Sequence, residues 1–311
     1  MFFRVSHELR TPMACIIGLL DMLLSEKLLD EIASSVRQIH RCATSLIAIL
    51  NSALDIAKVE SGKLVLEKAE FDLEAELTAL IDVFSVQCDN KGLFISLQLA
   101  DNVPKNVVGD SARVMQVFTN LIGNSIKFTS SGRISVSARL ATVEDGVNPS
   151  RVHRRSFSSF SLDMFTELPT SDEVIILFEV DDTGPGIEPA LRERVFENFV
   201  QGDASTTRMH GGTGLGLGIV KSLVHIMGGN IRIVEKAGPG SVFQFTICFQ
   251  RSLKPERMPY ILPSSLQGAE VVLGIPNADC RAVAAHWVKT WGLKAHEVGS
   301  WEEILIHMRT L

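Results

Sequence analysis

Val174-Ile175-Ile176-Leu177-Phe178-Glu179-Val180, followed by Asp181-Asp182-Thr183-Gly184-Pro185-Gly186-Ile187, decides the fold of the central region. The first seven residues are β-rich, and the glycines and proline behind them stop the strand and leave a carboxylate at its end. Arg133 to Leu140, Ile231 to Val234 and Val242 to Phe249 have the same texture, as do Leu64 to Leu66 and Leu93 to Leu99. Helical periods lie between them. One runs from Leu73 to about Cys88, one from a cap at Asp110 or Ser111 to about Phe128, and one from Leu217 to Met227, ended by Gly228-Gly229. Strands alternating with helices in this way predict an α/β sandwich over residues 63–250.

Residues 1–62 read differently. Leu9, Met13, Ile16, Leu20 and Leu23 recur at steps of four and three, and so do Ile32, Val36, Ile39, Ala43, Leu46, Leu50, Ala53 and Ala57. A polar break from Ser25 to Asp30 separates the two seams, and Ser61-Gly62 closes the second. Two such helices form an antiparallel hairpin with too little core of its own, so a second copy completing a four-helix bundle is expected. The fold class is thus α+β and multidomain: a dimerising helical hairpin followed by the sandwich.

The 311 residues are 46% hydrophobic and 21% charged, with a net charge of −6, which is ordinary for a globular chain of two or three domains. That acidic balance excludes nucleic acid as the main partner, since phosphate backbones need clustered Lys and Arg. The five cysteines (Cys15, Cys42, Cys88, Cys248, Cys280) are dispersed without metal-like spacing and read as reduced thiols. No uninterrupted apolar run reaches the roughly 18 residues of a membrane helix, so no span is expected in this chain. Residues 141–172, polar and containing RVHRRSFSSFS, read as a disordered insert, and 251–267 as a proline-bearing linker. Residues 268–311 offer a strand (Val271 to Gly274), a helix (Cys280 to Thr290) and the start of a further element. That is the beginning of an α/β domain, and the chain reads as a piece of a longer protein.

Ser6-His7-Glu8-Leu9-Arg10-Thr11-Pro12 places an imidazole beside a carboxylate, with Thr11 one helical turn away. At about 100° per residue His7 projects roughly 160° from the centre of the first seam and so faces water. An exposed imidazole is largely neutral at pH 7 and can act as a nucleophile, with the neighbouring carboxylate taking its proton. Pro12 either bends the helix there, giving a large partner access to the ring, or marks the helix's first turn.

Three glycine stretches follow in the sandwich: Asp182 to Ile187, Gly212-Thr213-Gly214-Leu215-Gly216-Leu217 running into a helix, and Gly238-Pro239-Gly240-Ser241. The carboxylate of Asp182 can accept the exocyclic amine of adenine, with Gly184 and Gly186 letting the backbone approach the ring. The amides of the second stretch and the helix start behind it suit a polyphosphate. Upstream, in NLIGNSIKF, Asn120, Asn124 and Lys127 share one helix face, where two amide oxygens and an ammonium can hold a hydrated magnesium ion and phosphates. Phe196-Glu197-Asn198-Phe199 to Arg208 reads as a lid, with Arg208 reaching the terminal phosphate.

Taken together these stretches resemble the sensor histidine kinases, whose ATP-binding fold is shared with gyrase, Hsp90 and MutL. SHELRTP looks like the family's H box, NLIGNSIKF its N box, DTGPGI its G1 box, FENF its F box and GTGLGL its G2 box. SHELRTPM, KVESGKLVLE and STTRMHGGTGLGL are most similar to plant hybrid kinases, the osmosensing type related to cytokinin receptors. The resemblance implies ATP-dependent phosphorylation of His7 with Glu8 as base, and Thr11 orienting water in the reverse, phosphatase-type activity. It puts Asn124 on Mg2+ with Asn120 supporting, Lys127 on phosphate and Asp182 on adenine.

Hydrolytic relatives carry a glutamate where Asn120 stands, so the resemblance favours a kinase over an ATPase; a silent dimeric scaffold is the other alternative. The implied partners are a second copy through residues 1–62 and a response-regulator receiver or histidine phosphotransfer protein. The implied location is the cytoplasmic part of a parent anchored in the plasma membrane or an endomembrane. The tail departs from the hybrid pattern. Val271 to Asp279 reaches one late carboxylate where paired acids are expected, so residues 268–311 read as a truncated or degenerate receiver-like segment.

Overall fold

A computed structural model describes residues 2–26, 29–142, 145, 173–197, 216–252, 266, 268–275 and 278–310. Helix α1 spans Phe2–Ser25 and runs unbroken through Pro12, which therefore lies inside the helix and not in its first turn. Helix α2 spans Asp30–Glu60. Asp30 and Glu31 place negative charge at its positive end. Gly62, at φ 64°, ends it, with Lys63 N–H donating to Lys58 O at 2.9 Å.

The seam between α1 and α2 is narrower than the periodicity predicted. Leu20, Val36 and Ala43 are buried, with Met13, Ile17 and Leu24 packed on them. Ile16, Leu23, Ile32, Ile39 and Leu46 were expected in the seam and are exposed, together with Leu19. The physical reason is width. The apolar stripe on each helix is broader than a two-helix contact can cover, so one edge turns inward and the other is left outward. α2 over Asp30–Val59 is also long and apolar enough, by length and composition, to cross a membrane, which the reading by uninterrupted runs did not foresee. It carries Arg37, Arg41, Asp55 and Lys58 and packs on α1 as a hairpin helix.

The sandwich is built on a seven-stranded sheet. Its strands are β1 (Ala69–Asp72), β2 (Leu93–Leu99), β3 (Asn106–Gly109), β4 (Gly132–Leu140), β5 (Glu173–Asp182), β6 (Ile231–Val234) and β7 (Val242–Arg251). The order is β1-β3-β7-β5-β4-β2, with β6 also paired to β7; β2 and β4 are parallel and every other pair is antiparallel. The expected strand at Leu64 to Leu66 is not formed. Leu64 and Leu66 do pack on the core, but the backbone there has no ladder partner, and Glu67 N–H bonds the side chain of Asp110 instead. β1 and β3 are strands that went unpredicted, each only four residues long.

Helices α3 (Leu73–Asp89), α4 (Ser111–Phe128) and α5 (Gly216–Ile226) cover one face of the sheet. Asp72 and Asp110 cap the first two, accepting from Ala75 N at 2.9 Å and Arg113 N at 3.0 Å. Phe118 of α4 meets Phe178 of β5 and Phe245 of β7 edge-on, each at 5.2 Å between ring centroids. Burying such rings fixes α4 against β5, each contributing about 1.5–3 kcal/mol. The sheet's other face is polar around Glu179, Gln244 and Arg232, which bond one another across β5, β7 and β6.

The second half of α2 also packs on the sandwich, through Ile49 and Ile56. Asp55, 8% exposed, accepts from Arg113 Nη1 at 2.9 Å and from Gln116 Nε2 at 3.0 Å, both on α4. Removing the cation strands a buried carboxylate. Arg113→Met is therefore expected to weaken the α2–α4 contact by about 1–3 kcal/mol. Faster amide exchange in the second half of α2, with α3 unaffected, checks this.

In the tail, β8 (Glu270–Gly274) and β9 (Lys294–Val298) pair in parallel across α6 (Ala278–Thr290), and α7 (Trp301–Thr310) follows. Ala285, Val288 and Val298 form its small core. The predicted insert lies outside the described residues, except for Ala141, Thr142 and Asp145 at its entrance. Most of the predicted linker lies outside them too.

Candidate functional site

Three elements meet at the end of β5. Asp182, 5% exposed, is the last residue of that strand. Its Oδ1 accepts from Gly184 N at 2.9 Å and from Ser241 N at 3.3 Å, and its Oδ2 from Ser125 Oγ of α4 at 3.3 Å. Burial raises the Asp182 pKa, against the pull of those three donors and of the nearby Lys236 cation. Lys236 donates to Asp182 O at 2.8 Å and pairs with Asp181, so the strand end is held from both sides.

The first and third glycine stretches are packed together here. Gly240 sits at φ 107°, and a Cβ on it would lie 1.7 Å from Asp182 O, so no side chain fits. Gly186 in turn abuts Gly240 O. The sequence grouped these stretches as parts of one ligand site, and in the structure their backbones are in direct contact.

α4 lies beside them, joined through Ser125. Asn120, Asn124 and Lys127 are half-buried along its polar side. Asn120 Nδ2 donates to Gln116 O at 2.9 Å, which fixes the amide with its Oδ1 toward the start of α5, 3.1 Å from where a Cβ on Gly216 would be. Partial burial lowers the Lys127 pKa, and its ammonium lies 4.9 Å from the centroid of the Phe128 ring. Phe128 is itself 41% exposed, and its backbone oxygen lies near Gly184. Among the described residues no three His, Cys, Asp or Glu side chains cluster as a metal site. A cation here would be held by the amide oxygens of Asn120 and Asn124 and by its own phosphate and water ligands, which suits hydrated Mg2+.

Asp182, Gly184 and Gly186 are thus brought together with Ser125 of α4, and Asn120 with Gly216 of α5; Asn124 and Lys127 follow Asn120 along α4, and Leu217 follows Gly216. Arg208, Gly212, Thr213, Gly214 and Leu215 lie outside the described residues. His7, Glu8 and Thr11 fall within α1, and their side chains are outside the described set. Ser125, Ser241 and Lys236 were missed as site residues. The signal for Ser125 was present: a hydroxyl between Ile122 and Ile126, on the buried side of an amphipathic helix, needs a partner.

Residues 3–62 match the His Kinase A (phospho-acceptor) domain family, and residues 109–251 match the histidine kinase-, DNA gyrase B- and HSP90-like ATPase family. Histidine kinase 1 of Arabidopsis thaliana is 41% identical over 99% of this chain and 26% of its own length. Probable histidine kinase 4 of Oryza sativa subsp. japonica is 34% identical over 95% of this chain and 34% of its own. The chain therefore spans only about a quarter to a third of these relatives. A crystal structure of full-length ShkA in complex with AMPPNP superimposes with a TM-score of 0.72 at 28% identity, covering 98% of this chain and 56% of that one. A phospho-acceptor hairpin at residues 3–62 followed by an ATPase-type sandwich at 109–251, with a histidine kinase relative 41% identical along nearly the whole chain, places the protein in the histidine kinase family.

Proposed function

We propose that the chain is the catalytic core of a phosphorelay histidine kinase, which moves the γ-phosphoryl group of ATP to His7 and then to an aspartate of a response-regulator receiver. The observation that carries this reading is the Asp182 cradle: a buried carboxylate held by Gly184, Ser241 and Ser125 beside a glycine wall, following a phospho-acceptor hairpin in the same chain. Asp182 accepts the adenine amine. Lys127 and the amides at the start of α5 face the phosphates, joined by the Gly212 to Leu215 segment and Arg208. Asn124, supported by Asn120, would hold Mg2+, which when bound neutralises phosphate charge.

In the transfer step a ring nitrogen of His7 attacks the γ-phosphorus. An N–P bond forms, the P–O bond to ADP breaks, and the ring proton passes to Glu8. Asn120 is an amide and cannot deprotonate water, which favours transfer over hydrolysis. Thr11 orients water in the reverse, phosphatase-type activity.

Residues 1–62 serve as the dimerisation and phospho-acceptor unit, and 63–250 as the ATP-binding unit. Residues 251–267 form a linker to a receiver-like segment at 268–311. The exposed apolar edge of Ile16, Leu19, Leu23, Ile32, Ile39 and Leu46 supports a second copy docking as a four-helix bundle. The parent protein is membrane-anchored, with this core on the cytoplasmic side.

Incubation with labelled ATP and magnesium is expected to leave base-stable, acid-labile phosphate on the protein, mapped to His7. His7→Gln protein should retain less than about 1% of that label, since no other group takes the nucleophile's place. Label that persists in the variant overturns the site, and ATP turnover without phosphoprotein overturns the kinase reading.

A further inference from the structure

One buried hydroxyl beside Asp182 has no role in the site as described so far. Thr129 follows α4 directly, and its N–H donates to Ser125 O at 2.9 Å, which fixes the residue at the helix end. It is 1% exposed, and its Oγ1 is buried without a hydrogen-bond partner among the described residues. Buried hydroxyls are nearly always paired, so an orphan in a native site calls for a partner. A methyl group built on Gly184 would lie 3.0 Å from Asp182 Oδ1, 3.1 Å from Thr129 Oγ1 and 3.5 Å from Phe128 O. Asp182 Oδ1 and the orphan hydroxyl therefore approach Gly184 from the same side, and only the absence of a side chain there lets them come so near each other. Two neighbouring hydroxyls are engaged. Thr183 Oγ1 accepts from Arg133 N at 2.9 Å and lies 3.3 Å from Ser131 O, while Ser125 Oγ donates to Asp182.

We propose that Thr129 is a second base-reading residue, its hydroxyl donating, directly or through one water, to N1 of the purine whose exocyclic amine Asp182 accepts. This rests on the ATP reading of the site and names a specificity group within it. The Watson–Crick edge of adenine presents a donor at N6 beside an acceptor at N1. An ionised carboxylate can only accept, whereas a hydroxyl can donate, so the two side chains together match that edge atom for atom. A site built to bond a ring nitrogen rejects the analogue that lacks it, because a buried group is then left unpaired. Thr129 is a positioning residue for the base and takes no part in phosphoryl transfer.

The test is binding of ADP and of 1-deaza-ADP, in which N1 is replaced by C–H, to the whole chain and to its Thr129→Val and Thr129→Ser variants by calorimetry. The unaltered chain is expected to bind 1-deaza-ADP about tenfold more weakly than ADP. Thr129→Val should bind both alike at the weaker level, and Thr129→Ser should restore the preference. Equal binding of the two nucleotides by the unaltered chain overturns the proposal whether or not the variants fold. A preference kept by Thr129→Val overturns it as well, because a role in packing would weaken both ligands equally. Failure of the unaltered chain to bind ADP at all sinks the ATP reading and this proposal with it, whereas ADP binding without preference sinks the proposal alone.

Discussion

Asp182→Asn protein is expected to fold normally and to bind ADP on the order of a hundredfold more weakly, a loss of about 2.7 kcal/mol that matches one hydrogen bond to a charged acceptor. Folding survives because the asparagine Oδ1 can still accept from Gly184 N and Ser241 N, and its amide can donate to Ser125 Oγ. Binding does not survive, because the atom facing the adenine amine has become a donor. Calorimetry with ADP checks this, with thermal unfolding as the control for the fold. The same carboxylate predicts a pH signature. Burial raises its pKa in the folded state, so its contribution to stability is complete below the unfolded-state pKa and is lost as pH rises through the folded value. Nucleotide affinity has the opposite sign, rising over that same interval as the acceptor ionises. Asp182→Asn removes both trends; a variant that kept either would mean that another group titrates there.

Gly240→Ala is expected to have a large structural effect. Its Cβ would meet Asp182 O at 1.7 Å and Thr183 Cα at 2.9 Å, and φ 107° is a conformation that alanine rarely adopts. Neither neighbour is a flexible side-chain tip; both are backbone. The two glycine turns must part, at a cost of about 3 kcal/mol or more. Nucleotide binding should fall in parallel, since Ser241 N, one of the donors to Asp182, moves with the turn. Chemical denaturation with and without ADP measures both losses. Gly238→Ala is the matched comparison: that glycine also has a positive φ, but a Cβ on it would meet nothing within 4 Å, so its loss should be confined to backbone strain.

The contrast between those two glycines marks where reading the sequence stopped. Strand and helix periods placed β5, α4 and α5 nearly to the residue, because each has a buried face that follows its own period. β1 and β3 escaped because four residues are too few to show any period, and Leu64 to Leu66 misled because alternate burial occurred without a ladder partner. Helical spacing put Asn120, Asn124 and Lys127 on one side of a helix and Asp182 at a strand end, and the structure has those positions in α4 and at the end of β5. Ser241 and Thr129 were not, since each matters only through a neighbour distant in sequence. The hairpin seam went wrong for a related reason. Apolar spacing says that a face is dry but not against what, and α1 and α2 each divide one stripe between an internal contact and an outward edge.

The junction at Asp55 has a mechanical consequence. α2 is a rod 31 residues long whose far end is clamped by Arg113 and Gln116, only one turn of α4 before Asn120. Axial twisting of that rod cannot spread smoothly into the sandwich; it must first pull an ion pair apart in a poorly hydrated crevice. The lobe that carries the nucleotide is therefore released in a step, like a catch, and whatever turns the rod acts first on the phosphate side of the pocket.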